Sequence, residues 1–205
     1  MELQQRHIDA FDRAEALILE RDYAGYLELK GLLSDASPAT RSRFRTLFTN
    51  YYGMNTGGLS ETFKDRFFEI LFSDQMFSEG RLDLAPVLNE LSLIPGRRGF
   101  CAMPFSFVSK LAAIHREDSP IFDRHVTGFF AVGAPAASVP KPDRIHWFIE
   151  FLAKVDASYA RWAGDDRVVR ILNRFKSRDF KLASCHNNRL LDFMVWKVGN
   201  QKLLS

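Results

Sequence analysis

The chain has 205 residues, 46% of them hydrophobic and 26% charged, with a formal net charge of +3. That balance fits an ordinary soluble globule of one domain, 1–205, and excludes a disordered or low-complexity chain. No apolar run reaches the roughly eighteen residues of a membrane span, and the N-terminal Met1-Glu-Leu-Gln-Gln-Arg-His7 has no apolar signal region, so no membrane partner is expected.

Two cysteines, Cys101 and Cys185, form neither a disulfide framework nor a metal pattern, and fit a reducing cytoplasm. His115, His125, His146 and His186 lack close ligand spacing, so no catalytic metal is expected and no cofactor is implied.

In chain order the periodicity is helical throughout. Residues 4–33 read as one or two helices, with Tyr23-Ala-Gly25 as a break. Ser37-Pro38 marks a turn and opens a helix to about Tyr52; Gly57-Gly58 breaks the chain again. Ser60 caps a helix through about Phe72, and residues 82–93 form the next, ended by Pro95-Gly96. A helix over 104–116 and a short one after Asp123 follow. The Pro-rich segment from Gly133 to Pro142 is a linker, dividing the chain into lobes 1–133 and 141–205. A long amphipathic helix runs from Pro142 or Asp143 to about Trp162, another from Asp165-Asp166 to Lys176, and a last from Arg189 to about Lys197. No alternating strand pattern of useful length occurs, so the fold class is all-α. Nineteen phenylalanines are unusual, and most are expected in the core.

The most informative stretch is Phe105-Ser-Phe-Val-Ser-Lys110-Leu-Ala-Ala-Ile, followed by Ser119-Pro-Ile-Phe-Asp123-Arg-His125-Val. Phe105, Val108, Leu111, Ala112 and His115 recur at spacings of three and four, with Phe107, Ala113 and Ile114 on the flanks. The helix is therefore apolar over most of its circumference and expected to be buried. Lys110 is the only charge between Arg98 and Arg116. Burial disfavours an ammonium, and a neutral amine can attack an electrophilic carbon to form a Schiff base. Asp123 stands where the next helix must begin, where amide donors and the dipole hold a carboxylate ionised. Such a fixed anion can stabilise a developing cation or take a proton. A lysine in an apolar helix usually snorkels, and an aspartate before a helix is usually only a cap. The order and context of the two together single them out.

Ser109-Lys110-Leu-Ala followed by Asp123-Arg-His125-Val resembles the active-site segment of the helix-hairpin-helix DNA glycosylases. Leu191-Asp192-Phe-Met-Val-Trp196-Lys-Val-Gly199 resembles the tail of the small 8-oxoguanine DNA glycosylases, where this pattern lines the base pocket. Tyr51-Tyr-Gly-Met-Asn-Thr-Gly-Gly-Leu-Ser-Glu-Thr-Phe-Lys-Asp-Arg-Phe-Phe is similar to a stretch of bacterial 8-oxoguanine glycosylase-like proteins. The resemblance implies a two-lobed helix-hairpin-helix fold with the active site between lobes. It also implies a bifunctional glycosylase and lyase acting on duplex DNA with a flipped, oxidised purine. Lys110 would attack C1′ and Asp123 would assist deprotonation and stabilise the sugar cation. His125 would contact a phosphate, Asp192 would accept a hydrogen bond from the base and Trp196 would stack on it. Asp192 and Trp196 lie four apart, on one helical face.

The family's hairpin reads Leu-Pro-Gly-x-Gly with the lysine just after it. Here Ile94-Pro95-Gly96 is followed by Arg97-Arg98-Gly99-Phe-Cys-Ala-Met-Pro before the lysine helix, so the hairpin is enlarged or lost. No iron–sulfur cysteine signature occurs. Charge is uneven: residues 1–95 carry 10 Lys/Arg against 15 Asp/Glu, and residues 96–205 carry 18 against 10. In the basic half, Arg167, Arg170, Arg174, Lys176, Arg178 and Lys181 face only Asp179, and read equally as a phosphate-following cluster or a solvated helix face. Arg97 and Arg98, in a glycine-flanked loop, are the better DNA-contact candidates by position. Two alternatives stand beside the glycosylase reading. One is a helical DNA- or protein-binding module without the chemistry. The other is a glycosylase acting on a different modified base or nucleotide.

Overall fold

The structure, a computed structural model, describes residues 1–73, 77–78 and 81–204. It is all-α: among the described residues the one strand pairing is a two-residue antiparallel bridge, β1 (Phe77–Ser78) with β2 (Arg81–Leu82). The helices are α1 (Gln5–Leu17), α2 (Glu20–Leu32), α3 (Pro38–Tyr51), α4 (Glu61–Leu71), α5 (Leu84–Leu91), α6 (Phe105–His115), α7 (Arg124–Phe129), α8 (Lys141–Trp162), α9 (Asp166–Lys176), α10 (Phe180–Ala183) and α11 (Asn187–Gln201). No described helix is long and apolar enough to cross a membrane.

Local chemistry sets most boundaries. The side chains of Ser37, Ser60, Asp83, Asp123, Asp165 and Asp179 each accept a backbone N–H from the turn they precede. The first break falls at Ile18-Leu19, not at Tyr23-Ala-Gly25. Ile18 is extended and closes α1, while the Asp22 side chain accepts the Leu19 amide at 3.0 Å to start α2. Gly25 lies inside α2 because Tyr51 packs there: a Cβ on Gly25 would stand 2.3 Å from the Tyr51 ring. The last helix is longer than the pattern suggests, since His186 caps it and Lys202 ends it in the left-handed region at φ 52°.

The chain divides into two compact units. One comprises Met1–Asp22 with His115–Ser205, the other Tyr23–Ile114. The division expected at the Pro-rich 133–142 linker is thus replaced by one that joins the two ends of the chain. The cause is α1, which packs on α9 and α11 and so belongs with the C-terminal helices.

In the first unit, α11 is the central element, packed by α1, α7, α8 and α9. Its core is aromatic. Phe11 stacks on Phe129 at 5.8 Å, Phe130 stacks on Trp162 at 5.8 Å, and Tyr159 lies 5.9 Å from Trp162. Offset and edge-on ring pairs add roughly 0.5–1.5 kcal/mol each to the area they bury. In the second unit, Phe48 is the hub, 5.3 Å from Phe67 and 5.7 Å from Phe68, while Phe44 meets Phe72 edge-on at 5.4 Å. The phenylalanine excess is therefore core, as expected; Phe100 and Phe180 are the two strongly exposed rings among the described residues.

The α7–α11 contact is close enough to need a glycine. A Cβ on Gly199 would lie 2.2 Å from the His125 carbonyl oxygen and 2.8 Å from its carbon, both backbone atoms. Gly199→Ala gains about 1 kcal/mol of helix propensity but forces two backbones apart. The net expected outcome is a loss of roughly 1–3 kcal/mol, read by urea unfolding; unchanged stability would show that the two helices do not meet there.

Candidate active site

Lys110 stands in the middle of α6. The Pro104 carbonyl accepts the amides of Phe107 and Val108 at 3.1 and 3.0 Å and starts the helix. Every residue from Val108 to Ile114 is buried, Lys110 at 9% exposure. The Lys110 amine donates to the Ser106 hydroxyl, one turn back, at 2.6 Å. It also lies 5.4 Å from the centroids of both the Tyr52 and Phe107 rings. A cation between two ring faces gains roughly 0.5–2 kcal/mol per ring, more as water is excluded. The Tyr52 ring comes from the end of α3. Gly57 closes on the same region, since a Cβ there would stand 3.3 Å from Phe107. The Tyr51–Ser60 segment and the lysine helix, two of the three motifs read from the sequence, therefore meet in this unit.

The segment between α5 and α6 is closed by hydrogen bonds of three of its amides. Gly96 N–H donates to Phe100 O at 2.9 Å, Gly99 N–H to Gly96 O at 2.9 Å, and Arg97 N–H to Gly58 O at 2.8 Å. Ser60 donates its hydroxyl to Pro95 O at 2.7 Å. These three amides are therefore already engaged within the protein. Arg97 and Arg98 are exposed, as their expected role requires.

Asp123 belongs to the other unit. Its Oδ1 accepts the amides of His125 and Val126 at 2.8 and 2.9 Å, the cap expected from the sequence. Phe122 beside it is buried against Phe148 and Phe151, with centroids at 5.4 and 5.5 Å. The approach to Asp123 is gripped in turn by the start of α11. The His186 amide donates to Glu117 at 2.9 Å, the Asn188 side chain to Asp118 O at 3.3 Å, and the Arg189 guanidinium to Ser119 O at 2.7 Å. The Ile121 amide then donates to Asp192 at 3.2 Å.

Asp192 is where the structure revises the sequence reading. The carboxylate expected to face a base is 4% exposed. It accepts from Ile121 N–H, from Tyr159 OH at 3.0 Å and from Arg189, a fully buried arginine. Burial pushes its pKa up to about 6; Arg189, the Ile121 amide and Tyr159 oppose the rise, and the charge of Asp123 adds to it. Tyr159 is raised too, by burial first and then by Asp192. Neither Arg189 nor Tyr159 was singled out from sequence, although the Arg189-x-x-Asp192 spacing is that of a helical ion pair.

Trp196 and His125 do come together. Their rings meet edge-on at 5.7 Å, and His125 Nε2 is 3.4 Å from the Asn200 side-chain nitrogen. Asp192 and Trp196 thus share the α11 face that looks toward 119–125, as their spacing of four requires. The basic cluster is corrected. Arg174 pairs with Asp12 and with Glu15 at 2.7 Å, Arg178 with Glu15 at 2.7 Å, and Arg167 with Asp165 at 2.7 Å. Arg174 and Arg178 thereby tie α1 to α9 and the turn after it, because Asp12 and Glu15, over 150 residues away in sequence, fold back onto them, while Arg167 pairs locally.

No family model matches the chain, and no curated protein or solved structure is similar to it.

Asp192 carries a pH signature. Its folded pKa of about 6 lies above the ordinary 3.8, so the folded state takes up a proton that the unfolded chain releases. Its contribution to stability is full below about pH 4 and is lost as pH rises through about 6. Asp192→Asn removes this titration. The stability of wild type relative to Asp192→Asn, from urea curves at several pH values, is expected to fall between pH 4 and pH 7; a flat difference would refute the raised pKa.

Proposed function

We propose that this chain is a DNA glycosylase with lyase activity, built on a helix-hairpin-helix-like helical fold and acting on oxidised guanine. The observation that supports the reading most is Lys110: a buried amine that donates to the Ser106 hydroxyl and lies over two rings, on an otherwise apolar helix. A surface lysine serving only solubility has no need of such a seat. Asp123, held by two amides and a gripped approach segment, supplies the fixed anion that the chemistry requires.

The Lys110 amine attacks C1′ of the flipped nucleotide through its nitrogen lone pair. The C1′–N9 bond breaks and the base leaves with the bonding pair, taking a proton. The nitrogen then loses its extra proton, and its lone pair opens the C1′–O4′ bond to give the iminium, with O4′ protonated. Loss of a C2′ proton expels the 3′ phosphate by β-elimination. Asp123 stabilises the positive sugar and accepts a proton. Trp196 and His125 offer a ring pair at the foot of α7 for base and phosphate contacts. Asp192 acts by holding the strand of chain that leads to Asp123, not by touching the base.

Borohydride should trap a covalent adduct between the wild-type protein and a duplex containing 8-oxoguanine, and Lys110→Gln should abolish it. Asp123→Asn should slow base loss by 10²-fold or more, the usual size of an acid–base contribution. The fold should survive, because asparagine caps helices as well as aspartate does. No adduct at any oxidised base or abasic site would end the lyase reading.

A further inference from the structure

The α5–α6 loop has features that Lys110 chemistry does not explain. Phe100 is 78% exposed and Leu93 70% exposed, whereas among the other phenylalanines whose side chains are described only Phe180 is strongly exposed. Arg97 and Arg98 precede Phe100 by three and two residues and are exposed with it. The whole stretch from Leu91 to Arg116 contains no aspartate or glutamate. Beside the loop, Glu61 lies 3.9 Å from Arg97 and is paired with Lys64 at 2.8 Å.

The loop is also held stiff. The Gly96–Phe100 and Gly99–Gly96 hydrogen bonds close it on itself, and Gly99 takes φ +79°, which a glycine adopts without strain. Gly96 packs so tightly that a Cβ would stand 2.8 Å from Gly58 O. A rigid loop cannot fold its ring back onto the protein, so Phe100 stays displayed, and an exposed ring on a fixed support is pre-organised for a flat partner.

We infer that this loop grips a nucleic-acid strand whose bases are unstacked, with Phe100 stacking on an exposed base and Arg97 and Arg98 on the flanking phosphates. The charge selects the partner: two exposed arginines beside one flat ring, on a stretch of chain without acids, match a polyanion that displays flat rings. A paired duplex hides its base faces, so the ring favours single strands, gaps and abasic sites. The grip is assigned to side chains because the amides of Gly96, Arg97 and Gly99 already donate to carbonyls of the protein. The inference takes its choice of nucleic acid from the preceding reading but does not depend on the lysine chemistry.

The test is fluorescence anisotropy of the full chain with a labelled single strand, an abasic-site duplex and an intact duplex. Wild type should prefer the first two. Phe100→Ala, a change at an exposed ring, should weaken these by roughly tenfold and leave the intact duplex nearly unchanged. Arg97→Gln with Arg98→Gln should weaken all three and reduce the salt slope by roughly 1.5. Equal binding of wild type and Phe100→Ala to every probe would overturn the inference. So would Phe100-dependent capture of phosphatidylserine vesicles by a protein indifferent to nucleic acid. Phe100-dependent binding without borohydride trapping supports this inference and sinks the lyase reading; trapping with Phe100-indifferent binding does the reverse.

Discussion

The buried pair of Arg189 and Asp192 fixes where Asp123 stands. Taking two charges out of water costs several kcal/mol per ion, and their attraction returns it only when the remaining hydrogen-bonding groups are satisfied. Here the chain segment that precedes α7 supplies two such bonds and Tyr159 of α8 a third. Arg189 donates to Ser119 O, and Asp192 accepts from Ile121 N–H and Tyr159 OH. The pair is therefore stable only with residues 119–121 in place, and those residues deliver Phe122 to its aromatic socket and Asp123 to the head of α7. Gly199 completes the arrangement at the far end of the same helix by letting α7 approach to backbone contact. One helix thus holds α7 by a charged grip at its entry and a glycine notch farther along.

The second unit reaches a similar end with glycine and rings in place of charge. Gly58 O accepts Arg97 N–H, Gly96 lies against Gly58, and Gly57 faces Phe107. These contacts leave no room for side chains between the two loops and α6. Lys110 is the one charged group on α6, and its burial is tolerated because the Ser106 hydroxyl and two ring faces replace part of the water it has lost.

What could be read from sequence was what is decided locally. Ser37, Ser60, Asp123 and Asp165 cap helices because each acts on amides two or three residues away, and the apolar period of α6 reports burial by itself. Asp192 was misread because its partners, Tyr159 and Ile121, lie 33 and 71 residues off. Its place on one face with Trp196 was legible, but not whether that face looks to solvent or to another segment. The basic residues of α9 failed for the same reason: their acids, Asp12 and Glu15, are at the other end of the chain. The lobe boundary followed those errors, since nothing in the Pro-rich linker reveals that α1 returns to pack on α9 and α11. The Tyr23-Ala-Gly25 break failed because glycine was read as flexibility, whereas Gly25 is there to seat the Tyr51 ring.

The fate of the phenylalanines bears on the choice between an enzyme and a passive binding module. An excess of rings favours a binding module only if many are displayed. Here the rings build the two cores, and the strongly exposed ones are Phe100, between two arginines and a run free of acids, and Phe180, beside Lys181. A broad apolar docking face for a protein partner would need several such rings in one patch. Single rings among cations are the pattern of a surface that meets flat, anionic polymers. The loop that displays Phe100 runs directly into α6 and its buried lysine. Along the chain, the group that could hold an unstacked strand and the group that could react with it are ten residues apart. On the proposed reading, a change in the loop acts on a segment continuous with Lys110, which would tie recognition to chemistry.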